Sequence, residues 1–564
     1  MPTAPFMLRA DRPFAGLRNS RRAVPMCAAI VALAVGPTFA APPPPAGMAS
    51  TAIIDGKEVP VPDLRMGDRD AVRRILEEGR DRSQVMEHIT HLTKQIGPRL
   101  TGSSNARTAN EWARSMYTLW GLENAHLEQW GTIPVGFDRG PCSGKLVLRT
   151  VTKNDDGTEK IDFSTLRDLQ FSTLSWSSGT DGAVRGKVLK EPRDDKEYEA
   201  VKADIKGAWV LLDPPKTGSG QRGVRGGATS LYTRLKDARQ KIADGGKPED
   251  LAIPERLALD GAAGFVMTGR DERVWTGAVP GWRTLDPDNI PRDIIVSVRG
   301  SDYDAINSRL YDGDTVELEF NLKHTLVKGP VPTFNTVAEI RGSELPDEYV
   351  IVSAHLDSWD GPGSEGCTDN GTGSATVLEA ARILKAAGAR PRRTIRFCNW
   401  TGEEQGLLGS KGYVEQHKAE LPRISAVFVD DGGTNYEGGV PAATQMVPML
   451  AAATAPVNNY FYSDTDGKFL NVNIRDTKAK IETHGSSDHA SFNAVAVPGF
   501  FWDETGRADY GFGWHTQNDK LDLAIPEYLA QSATCMAVTA YNLACADTLL
   551  PRVEPPKKEE PKSN

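Results

Sequence analysis

The stretch from residue 331 to about 430 constrains the fold most, because β-type and helical runs alternate along it. "EYVIVSAHL" reads as a strand, "SATVLEAARILKAAGA" as a helix, and "RTIRFCNW" and "ISAVFVDD" as two further strands. Strands alternating with helices imply a largely parallel sheet covered on both faces. The expected fold class is therefore α/β, a mixed sheet flanked by helices on both faces.

Open α/β sheets collect ligands at the carboxyl ends of their strands. Here each strand runs straight into acidic or imidazole side chains. The first ends in His355-Leu356-Asp357, the next in Thr401-Gly402-Glu403-Glu404, and another in Asp430-Asp431-Gly432. Asp369 sits in "GCTDNGTG" just before a helix, where the helix dipole favours a carboxylate. Near the C-terminus "GWHTQNDKLD" offers His515. Taken singly these have bland readings: Asp369 as a turn or cap residue, the paired glutamates as a solvated face. Together they form a His/Asp/Glu donor set that suits Zn²⁺. Such a set is too large for one tetrahedral zinc that must also keep a water. It suits two ions sharing one carboxylate.

The rest of the chain frames this region. Arg18, Arg21 and Arg22 precede the apolar run "AAIVALAVG" and a small-residue site at Ala40, the pattern of an export signal over 1–40. "SRRAV" also permits the twin-arginine variant of such a signal. Residues 41–67 read as a linker, and 68–139 as the first part of the α/β domain, opening with two amphipathic helices. Residues 140–330 show short β-type runs among Gly- and Asp-rich turns, with a loop over 215–245, and 331–550 hold the α/β pattern. The Pro- and charge-rich tail 551–564 reads as disordered. A net charge of −9, with no basic block beyond the first residues, gives no footing for nucleic acid. No later run approaches the length of a membrane span, so the mature protein is expected to be soluble, in the periplasm or outside the cell. Five cysteines remain after the signal, an odd number that rules out a complete disulfide framework and leaves room for one or two bridges.

"HLDSWDGPGSEGCTDNGTG", "NWTGEEQGLLGS", "VDDGG" and "WHTQNDKLD" resemble, in this order, the motifs of the co-catalytic zinc exopeptidases. That family includes bacterial leucyl-type aminopeptidases, glutamate carboxypeptidase and carboxypeptidase Q. "GAAGFVMTG" and the run from Ile290 to Phe320 resemble the β-rich protease-associated domain that is inserted in several of its exported members. The resemblance implies two Zn²⁺: His355 and Asp430 on one, Glu404 and His515 on the other, and Asp369 bridging both. It implies Glu403 as the general base on a metal-bridging water, Asp357 as the residue that holds the His355 ring, and a cis Asp369–Asn370 peptide. Asp431 competes with Asp430, because "VDDGG" carries two carboxylates where relatives often show one. In "THGSSDHASF", His484, Asp488 and His489 are candidates for substrate contact or for a hydrogen-bonded loop. Tyr510 is a candidate donor to the oxyanion, and Cys367 reads as a packing residue rather than a nucleophile. The implied activity is hydrolysis of terminal peptide bonds in short peptides, as an aminopeptidase or dipeptidase. A metal-free binding protein on the same fold and a single-zinc glutaminyl cyclase are the alternatives. The filled ligand positions weigh against both.

Overall fold

The strand Leu345–His355 lies between Arg393–Trp400 and Ile424–Val429 and runs parallel to both. Gly499–Phe501 extends the parallel set beyond Ile424–Val429. The structure is a computed structural model and describes residues 51–214, 221–269, 271–288, 290, 292–478 and 485–553. The export signal, His484 and the end of the tail lie outside the described residues. In the register His355 stands opposite Trp400, Ser353 opposite Val429, and Val429 opposite Phe501, so the four strands finish at one edge.

Apolar side chains fill both faces, as a strand buried on two sides requires. Val350 and Val352 point into one core with the helices Thr372–Ala386 and Pro526–Cys545. Ile351, between them, points into the opposite core with Tyr413 of the helix Leu408–Gln416 and Phe492 of His489–Asn493. The period of two along the strand thus feeds two layers of helices.

Two long strands carry the sheet onward. Val316–Ile340 pairs antiparallel with Arg393–Trp400 through its second half and with Ala183–Lys190 through its first. Glu123–Lys153 runs antiparallel beside it through both halves. From Ala183–Lys190 the sheet continues in parallel through Trp209–Leu211, Gly264–Thr268 and Ile295–Val298, and closes on antiparallel Phe171–Thr173. The boundaries expected at 139/140 and 330/331 therefore fall inside continuous, mutually paired strands. The region between them is rich in strand, as expected. It also holds the helices Asp195–Val201, Gln221–Ala243, Ile253–Leu259 and Gly300–Tyr311. The second of these replaces most of the loop expected over 215–245. Glycines at its start obscure a helical stripe in which Ala228, Leu231, Tyr232, Leu235 and Ala238 are buried.

The expected linker 41–67 also needs correction. Thr51–Ile54 and Lys57–Pro60 form a hairpin through Asp55 and Gly56, whose φ angles are 49° and 74°. Positive φ at both central residues is the two-residue turn that an Asp-Gly pair favours. This hairpin joins Asn473–Asp476 and Gly439–Ala442 in a small four-stranded sheet. Cys142, Cys367, Cys398, Cys535 and Cys545 are all free thiols, so no bridge forms among them. Among the described residues no helix is long and apolar enough to cross a membrane.

Candidate active site

Side chains that leave the common strand edge converge. His355 is the last residue of its strand and is fully buried. Its Nε2 lies 2.9 Å from Asp431 Oδ1 and 3.4 Å from Asp369 Oδ1. His515 Nε2 lies 3.0 Å from Asp369 Oδ2 and 2.9 Å from Glu404 Oε2. Asp369 thus belongs to both groups, turning one carboxylate oxygen to each. It sits where the chain enters the helix Thr372–Ala386, and the Asp369–Asn370 peptide is cis.

The backbone explains how adjacent glutamates diverge. After Trp400 the chain turns at Gly402, whose φ of 76° and close packing against Leu408 and Trp130 leave no room for a side chain. Glu404 then faces His515, while Glu403 Oε2 comes to 3.9 Å from His355 Nε2. His515 itself has φ 56°, a left-handed conformation that costs a non-glycine residue on the order of 1–3 kcal/mol.

At the next strand end Asp431, rather than Asp430, joins the donor groups. Asp430 still continues the ladder, donating its N–H to Ser353 O at 3.1 Å, and its carboxylate turns inward to accept from Thr376 Oγ1 at 2.6 Å. Asp431, one residue on, points to the opposite side and joins His355 and Asp369. Asp431 takes the place expected for Asp430.

Asp357 meets the His355 ring chiefly through its main chain. The His355 Nδ1 meets the main-chain carbonyl of Asp357 at 2.9 Å, with the carboxylate Oδ1 farther off at 3.6 Å. The carboxylate instead accepts from Thr101 Oγ1 at 2.9 Å and from the Glu403 N–H at 3.3 Å.

Charge is concentrated here among largely buried side chains. Burial opposes ionising Asp369, yet His355 and His515 hold its pKa far below the usual carboxylate range. Burial and the Asp369 charge push Glu404 up to about 7 against the pull of His515. Burial pushes Glu403 well above the usual carboxylate range too, and Asp431, Asp488 and Glu404 add to this against His355. His515 is raised to about 9, because Glu404 and Asp369 outweigh its burial. A buried set so rich in carboxylates would be stabilised by a divalent cation, whose charge offsets theirs.

The donor geometry fits zinc. Ligands about 2.0–2.1 Å from one tetrahedral ion stand about 3.3 Å apart. The contacts of 2.9 to 3.4 Å within the two groups match that spacing. Among the described residues Glu404 Oε1 is buried without a hydrogen-bond partner, an acceptor still to be satisfied.

The groups open into a cleft of about 990 Å³ whose lining includes Asp369, Glu403, Glu404, Asp431, Glu504 and Tyr510. Burial and the charges of Asp369, Asp431 and Glu404 hold the Tyr510 phenol well above its usual range, so it remains a proton donor. Gly485 and Ser486 form part of the wall. Asp488 and His489, expected as substrate contacts, are buried and stand outside that lining. Among the described residues neither Asp488 carboxylate oxygen meets a partner within hydrogen-bond geometry. Cys367 is fully buried and its thiol is pushed well above its ordinary range, in keeping with a packing role.

Two supporting residues escaped the sequence reading. Arg99 is fully buried and donates to the carbonyls of Leu356 at 2.6 Å and Gly366 at 2.7 Å, tying the loop after His355 to the loop before Asp369. Asp519 accepts from the N–H and hydroxyl of Thr368 at 2.5 and 2.8 Å, tying that loop to the His515 segment. Both sit in stretches without periodicity. "GPRLTG" reads as a helix stop, and "NDKLD" offers two carboxylates with nothing to choose between them.

Two overlapping donor groups, with a further carboxylate beside them at the mouth of a cleft, define a hydrolase assisted by divalent metal. Comparison with known proteins narrows the class. The model of Peptidase family M28 matches residues 335–540. Carboxypeptidase Q of Xenopus laevis is 30% identical over 339 residues, covering 57% of this chain and 67% of that protein. Carboxypeptidase Q of Rattus norvegicus is 26% identical over 497 residues, covering 86% and 90%. Among solved structures, a peptidase M28 precursor from Shewanella amazonensis shares the fold at a TM-score of 0.56 and 23% identity, over 86% of this chain and 99% of that one. The chain belongs to peptidase family M28. It is a zinc-dependent metallopeptidase, and its substrates are peptides.

Proposed function

We propose that the protein is an exopeptidase with two zinc ions that cleaves short peptides next to a free α-amino group. The observation that carries the reading is the position of Asp369, one oxygen on the His355–Asp431 side and the other on the His515–Glu404 side. His355 and Asp431 would hold one ion, Glu404 and His515 the other, and Asp369 both. Zinc, when bound, supplies Lewis acidity toward the scissile carbonyl and toward water.

The chain's own residues do the rest. Glu403 lies at the cleft surface beside both groups, where its carboxylate takes a proton from the attacking water and delivers it to the departing amine. Tyr510 donates a hydrogen bond to the oxygen on which negative charge develops. Recognition of an amino terminus is supported by the lining, which carries Asp503, Glu504 and Asp509 besides the donor groups and, among the described residues, no Lys or Arg. Arg507, the nearby cation able to bind a carboxylate terminus, is engaged by Asp466 and Glu527 and packs over the Tyr528 ring. Export completes the proposal: cleavage after Ala40 would release the mature enzyme, and sequencing of its N-terminus checks this.

A panel of dipeptides and tripeptides tests the function. Unblocked peptides should turn over with zinc present, a chelator should abolish this, and added zinc should restore it. N-acetylated peptides should be resistant while C-terminal amides are tolerated. Equal cleavage of N-acetylated and free peptides would overturn amino-terminal recognition.

A further inference from the structure

His515 is held in its left-handed backbone conformation from outside the sheet that carries the other donors. It follows the short helix Tyr510–Gly513, and its neighbours pair with a segment that belongs to the region between the two long strands. Trp275 bridges Thr516 in antiparallel register. Around that bridge, the Thr276 N–H donates to the His515 carbonyl at 3.1 Å, and the Gln517 N–H donates to the Val274 carbonyl at 3.3 Å. The Gln517 side chain closes the clamp. Its Oε1 accepts the Val274 N–H at 2.7 Å, and its Nε2 donates to the Glu272 carbonyl at 3.0 Å. The rings continue the contact: Trp275 meets Trp514 edge to face at 6.4 Å, and Trp514 stacks on the His515 imidazole at 4.1 Å.

We propose that residues 272–276 are a positioning element for the metal held by His515 and Glu404, so that this outlying segment completes half of the metal centre. The inference rests on the two-zinc reading above. A β-bridge with reciprocal main-chain bonds fixes the carbonyl side of His515, and the tryptophan stack fixes its ring. Together they hold a disfavoured φ that the sequence "GWHTQ" does not itself impose. Without the clamp the 514–517 loop relaxes and the imidazole leaves Asp369 and Glu404. His355 and Asp431, anchored at strand ends, stay in place.

The test measures zinc stoichiometry and affinity by chelator competition on the full-length protein and on Gln517→Ala, Trp275→Ala and Trp275→Phe. The wild type should hold two equivalents. Gln517→Ala and Trp275→Ala should release one of them at least about tenfold more readily, the scale on which supporting contacts tune metal sites. The other equivalent should keep its wild-type affinity, and Trp275→Phe should recover most of the loss. Two equivalents held unchanged in Gln517→Ala and Trp275→Ala would overturn the clamp and leave the two-zinc reading standing. A wild type that holds only one equivalent would overturn that reading itself. Parallel loss of both ions with a lower thermal midpoint would mean general loosening and would also overturn the clamp. Should Trp275→Ala fail to fold, Gln517→Ala decides, since it removes only a half-buried amide and its two hydrogen bonds.

Discussion

Asp357 accepts the backbone N–H of Glu403 at 3.3 Å, so the carboxylate two residues after one donor histidine fixes the chain that carries the adjacent carboxylate. The same side chain is anchored by Thr101 and is completely buried. Asp357→Asn keeps the volume but can present an amide N–H to the Glu403 N–H. Turnover should fall about 10- to 100-fold, the range found when supporting partners of metal sites are changed. KM should change little, because Asp357 lines no part of the cleft. Steady-state kinetics on an unblocked dipeptide read both numbers, and a pure rise in KM would contradict this placement.

Glu403 and Glu404 should separate cleanly under substitution. Glu403→Gln removes the proton acceptor without touching a donor group, so turnover should drop by about 10²- to 10⁴-fold, the usual worth of general acid–base catalysis. Its zinc content should equal that of the wild type. Glu404→Gln should lose zinc as well as activity, because Glu404 Oε2 lies 2.9 Å from His515 Nε2. Metal analysis of both purified variants is the deciding measurement.

The paired aspartates after the strand Ile424–Val429 offer a sharper contrast. Asp431→Asn takes a charged donor from the group with His355 and Asp369 and should cost zinc and activity together. Asp430→Asn alters a carboxylate that accepts from Thr376 and faces the core, so its zinc content should stay at the wild-type level. Equal zinc loss in the two variants would restore Asp430 as a ligand.

That pair also shows where sequence reading reaches its limit. The strands ending in His355, Trp400 and Val429 were legible, because runs of buried Val, Ile and Phe between polar ends have few other solutions. Which of two consecutive aspartates faces His355 and Asp369 was not, since it depends on whether the ladder ends at Val429 or one residue later. The Asp55-Gly56 hairpin carries a readable turn signal, but the Pro-rich segment before it suggests a linker instead. Arg99 and the clamp on His515 were beyond reach. Their partners are main-chain carbonyls and N–H groups far away in sequence, which have no residue signature.

A network remote from the cleft makes a pH-dependent contribution to stability. His417 Nε2 meets Glu128 at 2.8 Å and its Nδ1 meets Glu420 at 3.1 Å, joining the long strand Glu123–Lys153 to the end of the helix Leu408–Gln416. Burial opposes the imidazolium, but the two carboxylates raise His417 to about 9. Burial likewise opposes Glu128 and Glu420, yet Glu128 falls to about 2 through its bonds to His126 and His417, and Glu420 falls to about 2 through His417 and Arg396. A raised folded-state pKa gives stability that is fully present below the unfolded value near 6.5 and is lost as pH rises toward 9. The depressed glutamates give stability that is present above about 4.5 and is lost as pH falls toward 2. This network therefore contributes most between about pH 4.5 and 6.5. His417→Gln should lower the thermal midpoint most in that window and converge on the wild type above about pH 9. A midpoint difference that stays constant from pH 5 to 9 would show that His417 acts by packing alone.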